Sequence, residues 1–125
     1  VAQLVPDPDG AVIVTTPQEV ALISVRKSIN FAKAVGLRPI GLIENMSGMK
    51  CPHCGKDIKL FNDGGAESTA KEHGIPLLGK LPLSVGIANS GDSGSPFATA
   101  DDDDAAIFDA ITERIVAAVE QKKEA

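Results

Sequence analysis

A chain of 125 residues with 43% apolar and 23% charged side chains is long enough for one globular domain with its own core. Its net charge of -5 argues against nucleic acid as the main partner, and no apolar run reaches the length of a membrane span. The two cysteines come without a secretory signal, which indicates a reducing, cytoplasmic compartment and a metal or redox use of the thiols.

The first part of the chain has the pattern of a strand followed by an amphipathic helix. The β-branched run Ala11–Thr15 predicts a strand that is buried on both faces. The next helix is expected to have Thr16 as its N-cap and Pro17 at its first position, with Glu19 closing a capping box. Gly36 is expected to end this helix. The helical spacing predicts a buried face of four residues: Leu22, Val25, Ile29 and Ala32.

Strands and helices continue to alternate after this helix. A second strand over residues 40–45 would complete a right-handed βαβ unit with parallel strands. A short helix over about 66–73 and a third strand over 77–81 follow. Residues 83–89 are expected to form one or two helical turns, and residues 91–96 a loop.

The last helix is expected to begin within the acidic run at residues 101–104. Its predicted buried face comprises five residues: Ile107, Phe108, Ile111, Ile115 and Val119. The whole pattern predicts an α/β fold with a parallel sheet of three strands flanked by helices.

In such sheets ligands bind beyond the carboxyl ends of the strands. Segments 15–16, 45–54 and 81–83 leave those ends, so we expect them to lie along one edge of the sheet and to carry the function. The run at 74–80 nearly matches a phosphate-binding loop, but Leu81 occupies the position that requires Ser or Thr. Because this run itself predicts a strand, we reject it as a phosphate site.

Both cysteines lie in the motif Cys51-Pro52-His53-Cys54. Two thiolates at this spacing can hold one soft metal ion or one iron of a cluster, but either site needs more ligands than two. The missing ligands must therefore come from elsewhere. The alternative is a dithiol redox motif, which places its first cysteine at a helix N-terminus; Gly55 and Asp57 disfavour a helix there.

Five segments, in this order and spacing, resemble the Mrp-type (ApbC-like) ATP-binding iron–sulfur carriers of the MinD/Mrp group of P-loop ATPases. They are residues 10–22, 25–27, 41–54, 75–83 and 91–96; the third contains Glu-Asn-Met-Ser and, with Gly55 directly after it, Cys-Pro-His-Cys-Gly. The resemblance runs from about residue 2 to residue 120. It implies a partial P-loop NTPase-like sheet in this chain.

The family carries a lysine-bearing, glycine-rich phosphate loop and metal-binding acidic residues upstream of these segments, and this sequence contains neither. The resemblance therefore implies that residues 1–125 are the C-terminal portion of a single Mrp-type nucleotide-binding domain. ATP and Mg²⁺ binding and ATP hydrolysis are implied for the full-length protein. No catalytic residue is assigned within this chain, because the phosphate loop is where such chemistry is built.

By the same resemblance, Asn45 would lie against the adenine, where its carboxamide can both donate to and accept from the base edge. Pro82 and Leu83 would form the apolar wall of the base pocket. The simpler interpretation of Asn45 is a capping or turn residue at a strand end, and that of Pro82 and Leu83 is a strand exit.

For the cysteines, the resemblance implies that Cys51 and Cys54 supply half of a bridging [4Fe–4S] site, which a second subunit completes across a two-fold axis of a homodimer. Apo iron–sulfur proteins would receive the cluster. Zinc could occupy the same pair, and a zinc-binding or structural α/β module without catalysis is the alternative function. We also expect strand 11–15 to present an unpaired edge that recruits another chain.

Overall fold

The structure, a computed structural model, describes residues 8–51, 53–58, 65–96 and 103–124. Its strands there are β1 (Ala11–Thr15), β2 (Pro39–Glu44), β3 (Met49–Lys50), β4 (Asp57–Ile58) and β5 (Leu77–Lys80). Its helices are α1 (Glu19–Ala34), α2 (Gly65–His73), α3 (Val85–Ser93) and α4 (Asp103–Glu124). Among these four helices, none is both long enough and apolar enough to cross a membrane.

Strands β1, β2 and β5 form one parallel sheet in which β2 is central. The register pairs Ile13 with Leu42 on one side of β2, and Ile43 with Gly79 on the other. Helices α1 and α2 cover one face of this sheet, and α4 covers the opposite face. These observations confirm the predicted α/β class with a three-stranded parallel sheet flanked by helices.

The hydrophobic core has two layers, one on each side of β2. On the first side, Leu42 packs with Leu22, Val25 and Ile29 of α1. All four predicted residues of α1, including Ala32, are buried as expected. On the second side, Ile43 packs against Ile111 of α4. Gly79 allows this close approach, because a Cβ at that position would overlap the Ile111 side chain.

The predicted start of α1 is wrong, whereas its predicted end is confirmed. The helix begins at Glu19 after the extended Gln18, whose side chain caps no backbone N–H, so Thr16 is not the N-cap and no capping box forms. The Thr15 carbonyl still accepts a hydrogen bond from the Asn45 N–H at 2.6 Å, which prolongs the strand pairing and delays the turn into the helix. Gly36, with φ of 80°, follows the last turn.

The prediction that β1 is buried on both faces is also wrong. Val14 is 58% exposed, because β1 lies at the edge of the three-stranded sheet and α4 lies over β5 and β2. Ile13, on the opposite face, packs against the core beneath α1. Val12, on the same face as Val14, still packs against the second layer of the core, so β1 is an edge strand whose second face is covered at Val12 and open at Val14.

Two further expectations in the second half need correction. Helix α3 continues to Ser93, into the predicted loop, because the Ser84 hydroxyl accepts from the Ile87 N–H at 3.0 Å and Gly94 ends the helix in a left-handed conformation. Phe108 is 37% exposed, because the face of α4 that packs on the sheet is formed by Ile111 together with Ile107 and Ile115, one turn before and one turn after it. The predicted helix start at residues 101–102 lies outside the described residues.

Candidate functional site

The three segments that leave the carboxyl ends of the sheet strands are joined by backbone hydrogen bonds. Asn45 N–H donates to the Thr15 carbonyl, which ties the end of β2 to the end of β1. Leu81 N–H donates to the Glu44 carbonyl at 2.8 Å, and Ser47 N–H donates back to the Leu81 carbonyl at 2.9 Å. The expectation that these segments share one edge of the sheet is confirmed.

Asn45 is the first residue beyond β2, and its side chain is half-buried. Its Oδ1 accepts from the Met46 N–H at 2.9 Å, while its Nδ2 donates to no group in the described part of the chain. This contact fixes the start of a tight turn, because Met46 adopts φ of 56° in the left-handed region. The carboxamide thus keeps donor capacity toward a ligand at the sheet edge.

Pro82 and Leu83 lie alongside the loop that begins at Asn45. Leu83 N–H donates to the Gly48 carbonyl at 2.8 Å, and the Leu83 side chain is 36% exposed. An exposed apolar side chain beside an amide group can pack on one face of a flat ring while the amide reads its edge. The structure brings the three residues that were predicted to bind a base to one region of the sheet edge.

The cysteine motif lies on a small antiparallel hairpin that the sequence did not reveal. Strands β3 and β4 pair Met49 with Ile58, and they carry the cysteines on the loop between them. The Cys51 N–H donates to the Lys56 carbonyl and the Gly55 N–H donates to the Cys51 carbonyl, both at 2.8 Å. Strands of two residues have no readable alternation, which explains why the pattern missed them.

Both thiols are free and accessible at the tip of this hairpin. Cys54 is exposed and Cys51 is half-buried. Backbone N–H groups of Cys54 and then of His53 donate toward the Cys51 sulfur, and together with the Cys54 side chain they lower the pKa of the Cys51 thiol. Burial acts in the opposite direction as the smallest of these influences. Soft, accessible thiolates of this kind fit an iron–sulfur cluster or a zinc ion.

Within the described residues, no three His, Cys, Asp or Glu side chains come together as a group that could hold a metal ion. The next described helix after the cysteines, α2, begins at Gly65, so the first cysteine does not lie at a helix N-terminus among the described residues. The dithiol redox interpretation therefore lacks the helix that usually depresses the pKa of its first cysteine.

A prediction for the metal-free protein follows from the hydrogen bonds to Cys51. We expect Cys51 to be alkylated by iodoacetamide with a pH midpoint below that of an ordinary thiol, because the lowered pKa yields thiolate at lower pH. Peptide mass spectrometry over a pH series measures this midpoint. In Cys54→Ser the two backbone donors remain, so a midpoint that returns to an unperturbed value in that variant would contradict the stated cause.

A buried acidic residue next to Asn45 was not singled out from the sequence. Glu44 is 3% exposed, accepts a hydrogen bond from Ser47 Oγ at 2.9 Å and lies 3.8 Å from Lys80 Nζ. Lys80 also pairs with Glu67 of α2. The sequence feature that could have indicated this buried carboxylate is a single charged residue at the end of an otherwise apolar strand. Residues 77–80 form β5 and Lys80 faces carboxylates, which agrees with rejecting the run at 74–80 as a phosphate loop.

The chain matches the family model described as ParA, NUBPL iron-transfer P-loop NTPase, over residues 1–119. An iron–sulfur cluster carrier protein of Methanocaldococcus jannaschii is 46% identical over 124 residues, which are 99% of this chain and 43% of that protein. The cytosolic Fe-S cluster assembly factor NUBP2 of Gallus gallus is 46% identical over 90 residues, 72% of this chain and 33% of the relative. This chain therefore spans less than half the length of these relatives.

Two solved structures resemble the fold. A nucleotide-binding protein of Archaeoglobus fulgidus in complex with ADP superposes with a TM-score of 0.62 and 35% identity, covering 70% of this chain and 36% of its own. The cell division ATPase MinD of Pyrococcus furiosus superposes with a TM-score of 0.65 and 22% identity, covering 87% of this chain and 43% of its own. The second likeness concerns the fold alone, and it agrees with a P-loop NTPase-like parallel sheet.

Proposed function

This chain belongs to the ParA family of NUBPL iron-transfer P-loop NTPases, and from that premise we propose that Cys51 and Cys54 bind a [4Fe–4S] cluster for delivery to apo iron–sulfur proteins. The observation that carries the proposal is the pair of free, accessible thiols on one hairpin beside the carboxyl edge of the sheet. An accessible position suits a cargo that must be released, because a recipient's thiolates can reach the irons.

We further propose that two chains share the cluster. The full sequence offers two cysteines, whereas a [4Fe–4S] cluster is held by four thiolates. A two-fold contact between hairpins brings the same pair from each subunit, so one self-complementary contact supplies the complete set. The protein would then be a homodimer whose cluster lies on the symmetry axis.

Zinc binding without catalysis is the second candidate, and the turn geometry favours it. Gly55 has φ of 73° immediately after Cys54, and the turn is closed by the Gly55 N–H to the Cys51 carbonyl. Tight Cys-x-x-Cys-Gly turns of this type are common in structural zinc sites. Zinc would need the same four ligands, so the two candidates differ in the metal and share the assembly.

The nucleotide part of the proposal concerns Asn45, Pro82 and Leu83. We propose that they contact the adenine of ATP in a full-length Mrp-type domain, of which residues 1–125 form the C-terminal portion. The support is their common position at the carboxyl edge of the sheet, together with the ADP bound to the A. fulgidus relative. ATP with Mg²⁺, and its hydrolysis, would depend on groups outside this sequence.

The chicken relative is named a cytosolic factor, and we propose the cytoplasm for this protein as well.

Anaerobic reconstitution tests the central proposal. Protein incubated with ferrous iron and sulfide should become brown and contain about four irons per two chains, the content of one shared cluster. Electron paramagnetic resonance of the reduced sample identifies the cluster type. A colourless product that retains zinc alone would contradict the cluster proposal and favour the zinc module.

For nucleotides, we expect this polypeptide to bind ATP weakly and not to hydrolyse it. The edge residues can contact the base, but Lys80 ends strand β5 and pairs with Glu67, so it does not have the position of a phosphate-loop lysine. Base contacts do not replace the charge-assisted bonds that phosphate groups make. Calorimetry with ATP and with adenosine should give similar affinities, and Asn45→Ala should weaken both. Robust hydrolysis by the pure chain would contradict this prediction.

A further inference from the structure

A buried carboxylate, Glu44, lies where the two proposed sites meet. It is the last residue of β2, is 3% exposed and directly precedes Asn45. Burying a carboxylate costs free energy unless hydrogen bonds and counter-charges replace the lost water. Ser47 Oγ donates to Glu44 Oε2 at 2.9 Å, and Lys80 Nζ lies 3.8 Å from the same oxygen.

These two partners interact with the carboxylate to different degrees. The Ser47 contact has the length of a normal hydrogen bond, whereas 3.8 Å is beyond hydrogen-bond range for Lys80. Lys80 also makes a closer contact with Glu67 of α2. Glu44 therefore holds the Ser47 hydroxyl by a direct, charge-assisted bond and interacts with Lys80 mainly through longer-range attraction.

Ser47 lies on the short connection between the sheet and the cysteine hairpin. Residues 45–48 join the end of β2 to the start of β3, and Cys51 follows β3 directly. Backbone bonds also hold this connection against the exit of β5: Ser47 N–H donates to Leu81, and Gly48 accepts from Leu83. Because only β3 separates this connection from Cys51, a small change of backbone conformation at Ser47 would displace the sulfur atoms of the two cysteines.

We infer that Glu44, acting through Ser47, is a positioning residue that fixes the cysteine hairpin relative to the sheet edge bearing Asn45. The inference rests on the proposed function, because it names the residue that orients the proposed thiol ligands. Its role is geometric. The Glu44 carboxylate fixes the Ser47 hydroxyl by a hydrogen bond, and this bond restrains the 45–48 connection. The conformation of that connection determines where each subunit places its two thiols. A shared cluster requires both pairs to meet at one point, so a loosened loop would release cluster sooner.

The test uses three variants of the full chain: Ser47→Ala, Ser47→Thr and Glu44→Gln. In reconstituted protein we measure the rate of iron loss to the chelator bathophenanthroline disulfonate, and in metal-free protein we measure hydrogen exchange of the Leu83 amide. Ser47→Ala should raise both rates about tenfold, the effect of losing one hydrogen bond to a charged group. Ser47→Thr keeps the hydroxyl and should restore both rates. Glu44→Gln removes the charge and should fall between wild type and Ser47→Ala.

Two controls separate positioning from general loss of stability. Ser28→Ala removes a hydroxyl that bonds the Ser24 carbonyl on the exposed face of α1, and it should change neither rate. Ile29→Val destabilises the core at a fully buried position on α1, outside both the 45–48 connection and the cysteine hairpin. It should lower the melting temperature without accelerating iron loss. Iron loss from Ile29→Val as fast as from Ser47→Ala would overturn the inference, and so would unchanged rates in Ser47→Ala.

The two measurements, iron loss and amide hydrogen exchange, also distinguish failure of the inference from failure of the proposed function. If the wild type takes up no cluster, the proposed function fails, and exchange of the Leu83 amide in metal-free protein still decides whether Ser47 holds the loop. If the wild type takes up a cluster and Ser47→Ala matches it in both measurements, the positioning role fails while the cluster proposal stands.

Discussion

Replacing both cysteines, Cys51→Ser with Cys54→Ser, is expected to reduce the iron bound after reconstitution from about two atoms per chain to none. Serine keeps the size of the side chain but removes the soft thiolate that binds iron. The two side chains lie on a hairpin outside the hydrophobic core, so the fold should persist. Iron analysis and visible absorption measure the loss, and far-ultraviolet circular dichroism checks the fold.

His53 provides the matched control, because it lies on the same hairpin between the two cysteines and is exposed. We expect His53→Ala to bind as much iron as the wild type. Each single substitution, Cys51→Ser or Cys54→Ser, should abolish a stable cluster, since a shared site would lose two of its four thiolates at once. Full iron content in either single variant would contradict the shared-site arrangement.

The sheet edge that carries the candidate site could be predicted from the sequence because parallel strands impose it. Once Ala11–Thr15 and residues 40–45 were recognised as strands joined by a helix, their carboxyl ends had to face the same way. The third strand then placed Pro82 and Leu83 at that edge as well. These conclusions need the order and type of the elements, and they tolerate errors of one or two residues in the bounds.

Local conformations were less predictable, since tertiary contacts override short-range preference. Thr16 and Glu19 have the spacing of a capping box, yet pairing of Thr15 with Asn45 keeps the backbone extended beyond that point. The Ser47 bond to Glu44 depends on two strand ends meeting, and nothing in the spacing of these residues indicates it. Val14 fits a doubly buried strand by composition, whereas its exposure depends on which strands α4 covers.

The exposure of Val14 leads to a further prediction, which concerns the association of one chain with another. Strand β1 lies at the edge of the described sheet, and it carries Val14 with 58% of its surface exposed. A flat apolar edge with unpaired backbone groups recruits another strand or another apolar surface. We therefore expect the metal-free protein to be associated at micromolar concentrations, independently of the contact between cysteine hairpins.

Light scattering of Val14→Lys tests this expectation, because a charge on an edge strand opposes pairing with another chain. Val14→Lys should shift the metal-free protein to a monomer, whereas Val116→Lys should not, although Val116 on α4 is exposed to a similar degree at 48%. Cys51→Ser with Cys54→Ser should leave this association intact, because the hairpin and β1 are different surfaces. A wild type that is monomeric throughout, both metal-free and with metal supplied, would contradict the edge contact and the shared cluster site together.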